Sequence, residues 1–220
     1  KNAAILTSKL YEGTVKSNLD FSTSNSDIII VAVNDDSIAE VAKKLRVPPQ
    51  AIVVHTSGSV PLDILKSFER SGIFYPLQTF SKDREVEMND VPICLEANDD
   101  DSFGILEELA KSISSRVVTM DSEQRRALHL AAVFACNFTN HMLVICKELL
   151  DHENIPYSIM DTLISETVNK ALDGDPRVAQ TGPARRKDLQ VLANHLKSLQ
   201  DQPLWKGIYK SVSESIMAGK

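Results

Sequence analysis

Short apolar runs alternate with amphipathic stretches along the first half of the chain, and this pattern predicts strands alternating with helices. Residues 27–33 and 51–55 are apolar at nearly every position, which is typical of strands buried on both faces of a parallel sheet. Shorter strands are predicted at residues 73–75, 91–97 and 116–120. Strands and helices that alternate at this pace indicate an α/β fold with a mostly parallel sheet.

After residue 120 the strand pattern stops and only helical periodicity remains. The segment 121–150 reads as one long helix that begins at Asp121 or Ser122 as its N-cap. Its apolar positions cover most of its circumference, which predicts a buried central helix. We therefore predict two domains, an α/β domain over residues 1–120 and an all-helical domain over residues 121–220.

Three polar side chains lie among the apolar residues of this long helix, namely His129, Asn137 and His141. In a regular α-helix, Asn137 and His141 fall on one face because they are four residues apart. Buried polar groups need partners, and the partner here is either the core or a substrate. A metal site built from His129, Cys136 and His141 is disfavoured, because the spacing matches no common zinc pattern.

Three of the predicted strands end in small polar loops. In open α/β sheets, ligands bind beyond the carboxyl ends of the strands, where free N–H groups suit phosphate or carboxylate. The same residue types are also what ordinary turns require, so the pattern alone leaves both interpretations open. The residues concerned are Val33, Asn34, Asp35, Thr56, Ser57, Gly58, Tyr75 and Gln78.

A further polar loop lies in the helical half of the chain and contains Thr181, Arg185 and Arg186. Paired arginines beside a Gly-Pro turn can hold a carboxylate or phosphate through two hydrogen bonds. A solvated basic surface loop would have the same composition.

Composition narrows the class of protein. A net charge of −6 argues against nucleic acid and anionic membrane as partners. The three cysteines have no CxxC spacing, which fits reduced thiols in a cytoplasmic protein. We expect no membrane span, because no uninterrupted apolar run approaches the roughly 20 residues that one requires. The chain lacks an initiator Met, so we expect its natural beginning to lie outside this sequence.

Four strings in the chain carry a resemblance to a known family: HTSGSVPLDIL, FYPLQTF, HLAAVFACNFTNHM and AQTGPARRKD. They resemble Rossmann-like, proposed NADP oxidoreductases with a DUF2520 C-terminal domain. These belong to the 6-phosphogluconate dehydrogenase and pyrroline-5-carboxylate reductase-like superfamily. The resemblance runs from about residue 26 to the end of the chain.

The resemblance implies a Rossmann-like, mostly parallel sheet followed by a helical domain, with substrate bound between the two. It implies a nicotinamide dinucleotide across the strand ends, NADP by preference with NAD not excluded. The cofactor would contact the strand-end residues Val33, Asn34, Asp35, Thr56, Ser57 and Gly58. The substrate would contact Tyr75, Gln78, Thr181, Arg185 and Arg186.

The chain departs from the pattern of these relatives in three places. Relatives carry a catalytic Lys and, one turn later, an Asn on the central helix; here Asn137 stands at the Asn position and Val133 at the Lys position. Tyr75-Pro76 stands where prephenate-type dehydrogenases have a His-Pro pair. The G-x-G-x-x-G phosphate turn does not occur in these 220 residues, so we expect the first βαβ unit to be missing from the chain.

We therefore predict an NADP-dependent oxidoreductase acting on a small carbonyl or imine compound. His141 or His129 would supply the proton and Asn137 would orient the substrate. Two alternatives stay open: a dinucleotide-binding sensor without catalysis, and a structural protein that dimerises through its helices. In each case we expect a homodimer, because helical domains with broad apolar surfaces bury them in a partner.

Overall fold

The computed structural model describes residues 16–81 and 84–219. The chain divides into two compact units, Lys1–Asn137 and Phe138–Lys220. The boundary predicted at residue 120 was drawn where strands give way to helices, and it stays a prediction.

The first unit contains a five-stranded sheet in the order β1-β2-β3-β4-β5. Strands β1, β2 and β3 are parallel to one another, β4 is antiparallel to β3, and β5 is parallel to β4. The prediction of a mostly parallel α/β sheet is therefore confirmed. The strands are β1 (Ile28–Val31), β2 (Ile52–His55), β3 (Ser71–Pro76), β4 (Ile93–Ala97) and β5 (Val117–Thr119).

Helices cover both faces of this sheet. Helix α1 (Asp35–Lys44) packs over one face and helix α2 (Asp100–Ile113) over the other. Successive residues of β2 point to opposite faces, so Val53 belongs to the cluster under α1 and Val54 to the cluster under α2. This two-sided burial explains why β2 is apolar at consecutive positions. Strand β1 differs from the prediction, because Ile30 is 49% exposed where β1 forms the outer strand of the described sheet.

The long helix predicted from residue 121 is present and runs from Ser122 to His152. It consists of α3 (Ser122–Ala132), a π-helical segment (Val133–Phe138) and α4 (Thr139–His152). Asp121 is its N-cap, accepting hydrogen bonds from the N–H groups of Glu123 and Gln124. The π-helical segment was not predicted.

The predicted burial of this helix is wrong for the isolated chain. Within Ser122–His152 only Arg125 is buried, and large apolar side chains such as Leu130 face outward. By its length of 31 residues and its apolar composition alone, this helix could also cross a membrane. One such helix is weak support for a membrane span, because core and interface helices have the same composition.

The second unit is entirely helical in its described part. The sequence correctly predicted its longer helices, whereas residues 173–188, where a break followed by a loop was expected, contain two short helices, α6 and α7. The helices after α4 are α5 (Asp161–Leu172), α6 (Pro176–Ala179), α7 (Pro183–Arg186), α8 (Leu189–Ser198) and α9 (Pro203–Ala218).

Candidate functional site

Tyr75 and His129 meet at the carboxyl ends of the central strands. Tyr75 lies near the end of β3, and His129 lies two turns into α3. The Tyr75 hydroxyl is 3.4 Å from Nδ1 of His129, and the two rings are arranged edge to face with centroids 6.4 Å apart. Catalytic hydrogen bonds are commonly long before substrate binds, so this distance is compatible with proton transfer.

The backbone of Gly58, which follows β2, lies directly against this pair. A Cβ atom on Gly58 would stand 2.6 Å from Nδ1 of His129 and 2.7 Å from Cζ of Tyr75. Neither distance is compatible with van der Waals contact, so the position requires glycine. The three residues therefore form a closely packed group, which we call the Tyr75–His129 site.

Burial raises the pKa of Tyr75 above its usual value of 10, with smaller contributions from Cys94 and Asp35. The hydroxyl is therefore protonated at neutral pH and can donate its hydrogen. In the neutral His129 tautomer with hydrogen on Nε2, Nδ1 accepts this hydrogen bond; with hydrogen on Nδ1, the direction reverses.

The loop between β2 and the helical turn at Leu62–Leu65 is held by buried polar groups. Ser57 Oγ accepts hydrogen bonds from the N–H groups of Ser59, at 3.1 Å, and Val60, at 3.0 Å. Nδ1 of buried His55 accepts from Ser57 N–H at 3.2 Å, and its Nε2 lies 3.5 Å from the Pro61 carbonyl oxygen. Both contacts fit a neutral imidazole protonated on Nε2, and burial lowers the pKa of His55 from 6.5 to about 4.

The ends of β1 and β2 are joined through Asp35. Ser59 Oγ donates to Oδ2 of Asp35 at 2.5 Å, so the two strand-end loops have a fixed spacing. Asp35 is also the first residue of α1, and Asp36 follows in the same turn. Two carboxylates at this helix end repel a phosphate, so this corner suits hydroxyl or amide groups instead.

Sequence reasoning missed Arg125, which binds the loop between β2 and Leu62 from the first turn of α3. Arg125 is 0% exposed and forms an ion pair through Nη1 with Glu96 on β4. Its Nη2 donates to the Val60 carbonyl oxygen at 2.6 Å and to Ser122 Oγ at 3.2 Å. Arg125 was overlooked because it is followed by the exposed Arg126, and paired arginines normally indicate a solvated face.

The other residues predicted for the site belong partly to the first unit and partly to the second. Asn137 is exposed within the π-helical segment, where regular α-helical spacing does not apply, and His141 is exposed in α4 of the second unit. In the same unit, Arg185 lines a cavity of about 930 Å³. The remaining exposed candidates are Val33, Asn34, Gln78, Thr181 and Arg186, whereas Thr56 is half-buried. Their roles, like those of Asn137, His141 and Arg185, stay predictions.

Metal ligation is a separate question. Within residues 16–81 and 84–219, no three His, Cys, Asp or Glu side chains are placed to hold a metal ion together.

A family model described as Domain of unknown function (DUF2520) matches residues 91–216. The chain belongs to the DUF2520 family. A search of curated proteins gave no match. This family member is 40% identical to a proposed NADP oxidoreductase from Bacteroides fragilis, with a TM-score of 0.83 over 93% of this chain and 80% of that one.

Two more distant structures share the fold of this DUF2520 protein. A Thermotoga maritima protein is 24% identical, with a TM-score of 0.68 over 89% of this chain and 79% of that one. An imine reductase from Myxococcus stipitatus in complex with NADP⁺ is 14% identical, with a TM-score of 0.60 over 91% and 77%. The family and the Rossmann-like fold expected from the sequence are thereby confirmed.

Proposed function

We propose that this DUF2520 protein is an oxidoreductase that uses NADP, or NAD in its place, and acts on a small carbonyl or imine compound. The observation that carries the proposal is the Tyr75–His129 site, where a half-buried proton donor meets an imidazole at the strand ends. The 40% identical Bacteroides fragilis protein, itself described as a proposed NADP oxidoreductase, supports the cofactor and the reaction class.

The strand-end loops fit part of a nicotinamide dinucleotide. Asp35 and Thr56 offer side-chain oxygens to ribose hydroxyls or the carboxamide, while buried Ser57 holds the loop that presents them. The charge of Asp35 and Asp36 requires the phosphates to be held elsewhere. When bound, the cofactor supplies or accepts a hydride. In this assignment Val33 and Asn34 join these residues in one cofactor wall, and Gly58 lies between that wall and the side chains of Tyr75 and His129.

Reduction of a carbonyl or imine adds one proton for each hydride, and we assign the proton to Tyr75. Its O–H donates to the carbonyl oxygen or imine nitrogen, while Nδ1 of protonated His129 donates to the Tyr75 oxygen. His129 ends neutral and is reprotonated from solvent, so no phenolate accumulates. In the oxidation direction the same transfers run in reverse.

A dinucleotide sensor without catalysis is the second candidate, because Val133 stands at the position of the catalytic Lys of relatives. The two functions differ in whether cofactor is consumed. The test uses the full-length natural protein with NADPH and a panel of ketones, ketoacids and cyclic imines. Binding of NADPH without oxidation across the whole panel would favour the sensor.

Variants then test the residues assigned. Tyr75→Phe and His129→Gln should each lower kcat by roughly 100-fold or more, with NADPH affinity retained. Tyr209 and His195 provide a matched control, since they form a similar pair at 2.8 Å in the second unit. Equal kcat values for wild type and Tyr75→Phe would contradict the mechanism.

We also propose that the protein is a homodimer that covers the apolar face of α4. Met142, Ile145 and Leu149 follow one another at spacings of three and four residues and share a face, which is exposed at Met142 and Leu149. The ion pair between Lys147 and Asp151 lies on the opposite face of the helix. An ion pair on the side away from this apolar face fits a protein partner better than a lipid-surrounded span.

The dimer is tested by light scattering after size-exclusion chromatography. Leu149→Glu should give the monomer mass, whereas Asn140→Glu, which adds the same charge on the opposite face, should leave the dimer intact. A wild-type monomer at all concentrations, or a protein found only in the membrane fraction, would refute this assignment.

A further inference from the structure

We infer that Arg125 is a positioning residue that sets the contact between Tyr75 and His129. It does so by fixing the 57–62 loop to helix α3. This inference rests on the function proposed for the Tyr75–His129 site, and it concerns a residue that does not itself reach that site's reacting atoms.

Two loop groups bind the start of α3. Arg125 Nη2 donates to the Val60 carbonyl oxygen at 2.6 Å, and Leu62 N–H donates to Ser122 Oγ at 3.1 Å. Ser122 Oγ in turn donates to Oε2 of Glu96 at 2.8 Å, so loop, helix and β4 form one half-buried network around the buried Arg125.

The helix side of this network is coupled to His129 by geometry. Arg125 and His129 are four residues apart on α3, so their side chains lie one turn from each other on one face. Val60 follows Gly58 by two residues, and Gly58 has no free space against His129. A shift of the Val60 carbonyl group would therefore be transmitted to Gly58 and from there to the Tyr75–His129 contact.

His55 also holds the 57–62 loop, because its ring contacts both Ser57 N–H and the Pro61 carbonyl oxygen. Arg125 completes the restraint, because its guanidinium binds Glu96, Val60 and Ser122 together. A lysine at this position has one nitrogen and cannot reproduce the planar fork that reaches all three. The shape of Arg125, and not only its charge, is required.

The experiment observes the site directly by side-chain ¹⁵N NMR of the five histidines of this sequence. In Tyr75→Phe, the Nδ1 resonance of His129 should move because the hydrogen bond is lost. Arg125→Lys should move the same resonance in the same direction by at least half of that shift. The Nδ1 resonance of His195, bonded to Tyr209 at 2.8 Å in the second unit, should stay within experimental error.

Kinetics supply a second readout. Arg125→Lys should lower kcat at least tenfold while the Kd for NADPH changes less than twofold. The neighbouring Arg126→Lys, at an exposed residue, should change neither value. A folded Arg125→Lys variant with the wild-type His129 resonance would overturn the inference.

Two further variants guard against misfolding. Arg125→Met combined with Glu96→Gln removes both buried charges together, and Ser122→Ala removes only the shared hydroxyl group. Both should displace the His129 resonance, Ser122→Ala by less than Arg125→Lys. If the wild type oxidises no NADPH, the NMR shifts still decide the role of Arg125. If Tyr75→Phe abolishes turnover and no network variant moves the resonance, only this inference fails.

Discussion

Acidification should destabilise the first unit through His55, and replacing that residue should remove the effect. His55 is fully buried at the end of β2, and burial lowers its pKa from 6.5 to about 4. Its Nδ1 accepts a hydrogen bond from Ser57, so protonation would also break the contact that starts the site loop. His55→Asn keeps an acceptor oxygen for Ser57 N–H and has no titrating group.

The direction of the stability change follows from the pH at which the folded and unfolded states each bind a proton on His55. The unfolded chain binds it near pH 6.5 and the folded chain only near pH 4. Between these values the unfolded state binds more protons, so stability is lost as the pH falls from 6.5 to 4. The difference between these two pKa values corresponds to about 3 kcal/mol. Above pH 6.5 His55 is neutral in both states and contributes no pH dependence.

The assay compares wild type with His55→Asn from pH 7.5 to 4. Native-state hydrogen exchange of the β2 amides gives the opening free energy of the first unit, and the difference between the two proteins cancels the other titrating groups. The wild type should lose about 3 kcal/mol more than the variant across this range. Parallel pH profiles for the two proteins would refute the assignment of His55 as a buried neutral imidazole.

Two further predictions concern the same corner of the sheet. Gly58→Ala should separate Tyr75 from His129 and lower kcat at least tenfold, because its Cβ would stand 2.6 Å from Nδ1. The control is Gly104→Ala on α2, where the added Cβ would meet no neighbouring group within 4 Å. It should stabilise the protein by up to about 1 kcal/mol in thermal unfolding. Asp35→Ala should raise the NADPH Kd about tenfold in calorimetry, which equals about 1.4 kcal/mol. Glu40→Ala, on the exposed side of α1, should leave it unchanged; a wild-type Kd in Asp35→Ala would remove Asp35 from the cofactor wall.

The sequence predicted the sheet well because a strand buried on both faces is apolar at consecutive positions, and this pattern can be read directly from the sequence. Ile52, Val53 and Val54 are all buried, and a short branched apolar run next to a polar turn is typical of a strand buried on both faces. The residue strings around Thr56 and His129 also identified the family correctly, and His129 was already a candidate for proton transfer.

Contacts between distant segments could not be predicted in the same way. Tyr75 and His129 are 54 residues apart, and nothing local indicates that they share a hydrogen bond. The role of Arg125 depends on its ion pair with Glu96, which lies 29 residues earlier in the chain, and no local pattern predicts that contact. Periodicity reports how apolar a helix face is, and not whether the covering layer lies in the same chain. The burial predicted for residues 121–150 was therefore wrong.

The central claim is that this protein transfers a hydride with Tyr75 as the proton donor. The most direct measurement uses NADPH deuterated at C4, in its two stereochemical forms, and mass spectrometry of the products from the carbonyl and imine panel. One form should deliver a single deuterium to carbon in wild type, and Tyr75→Phe should slow its appearance roughly 100-fold. If NADPH binds but neither form delivers deuterium to any compound, or if Tyr75→Phe transfers it at the wild-type rate, the account is contradicted.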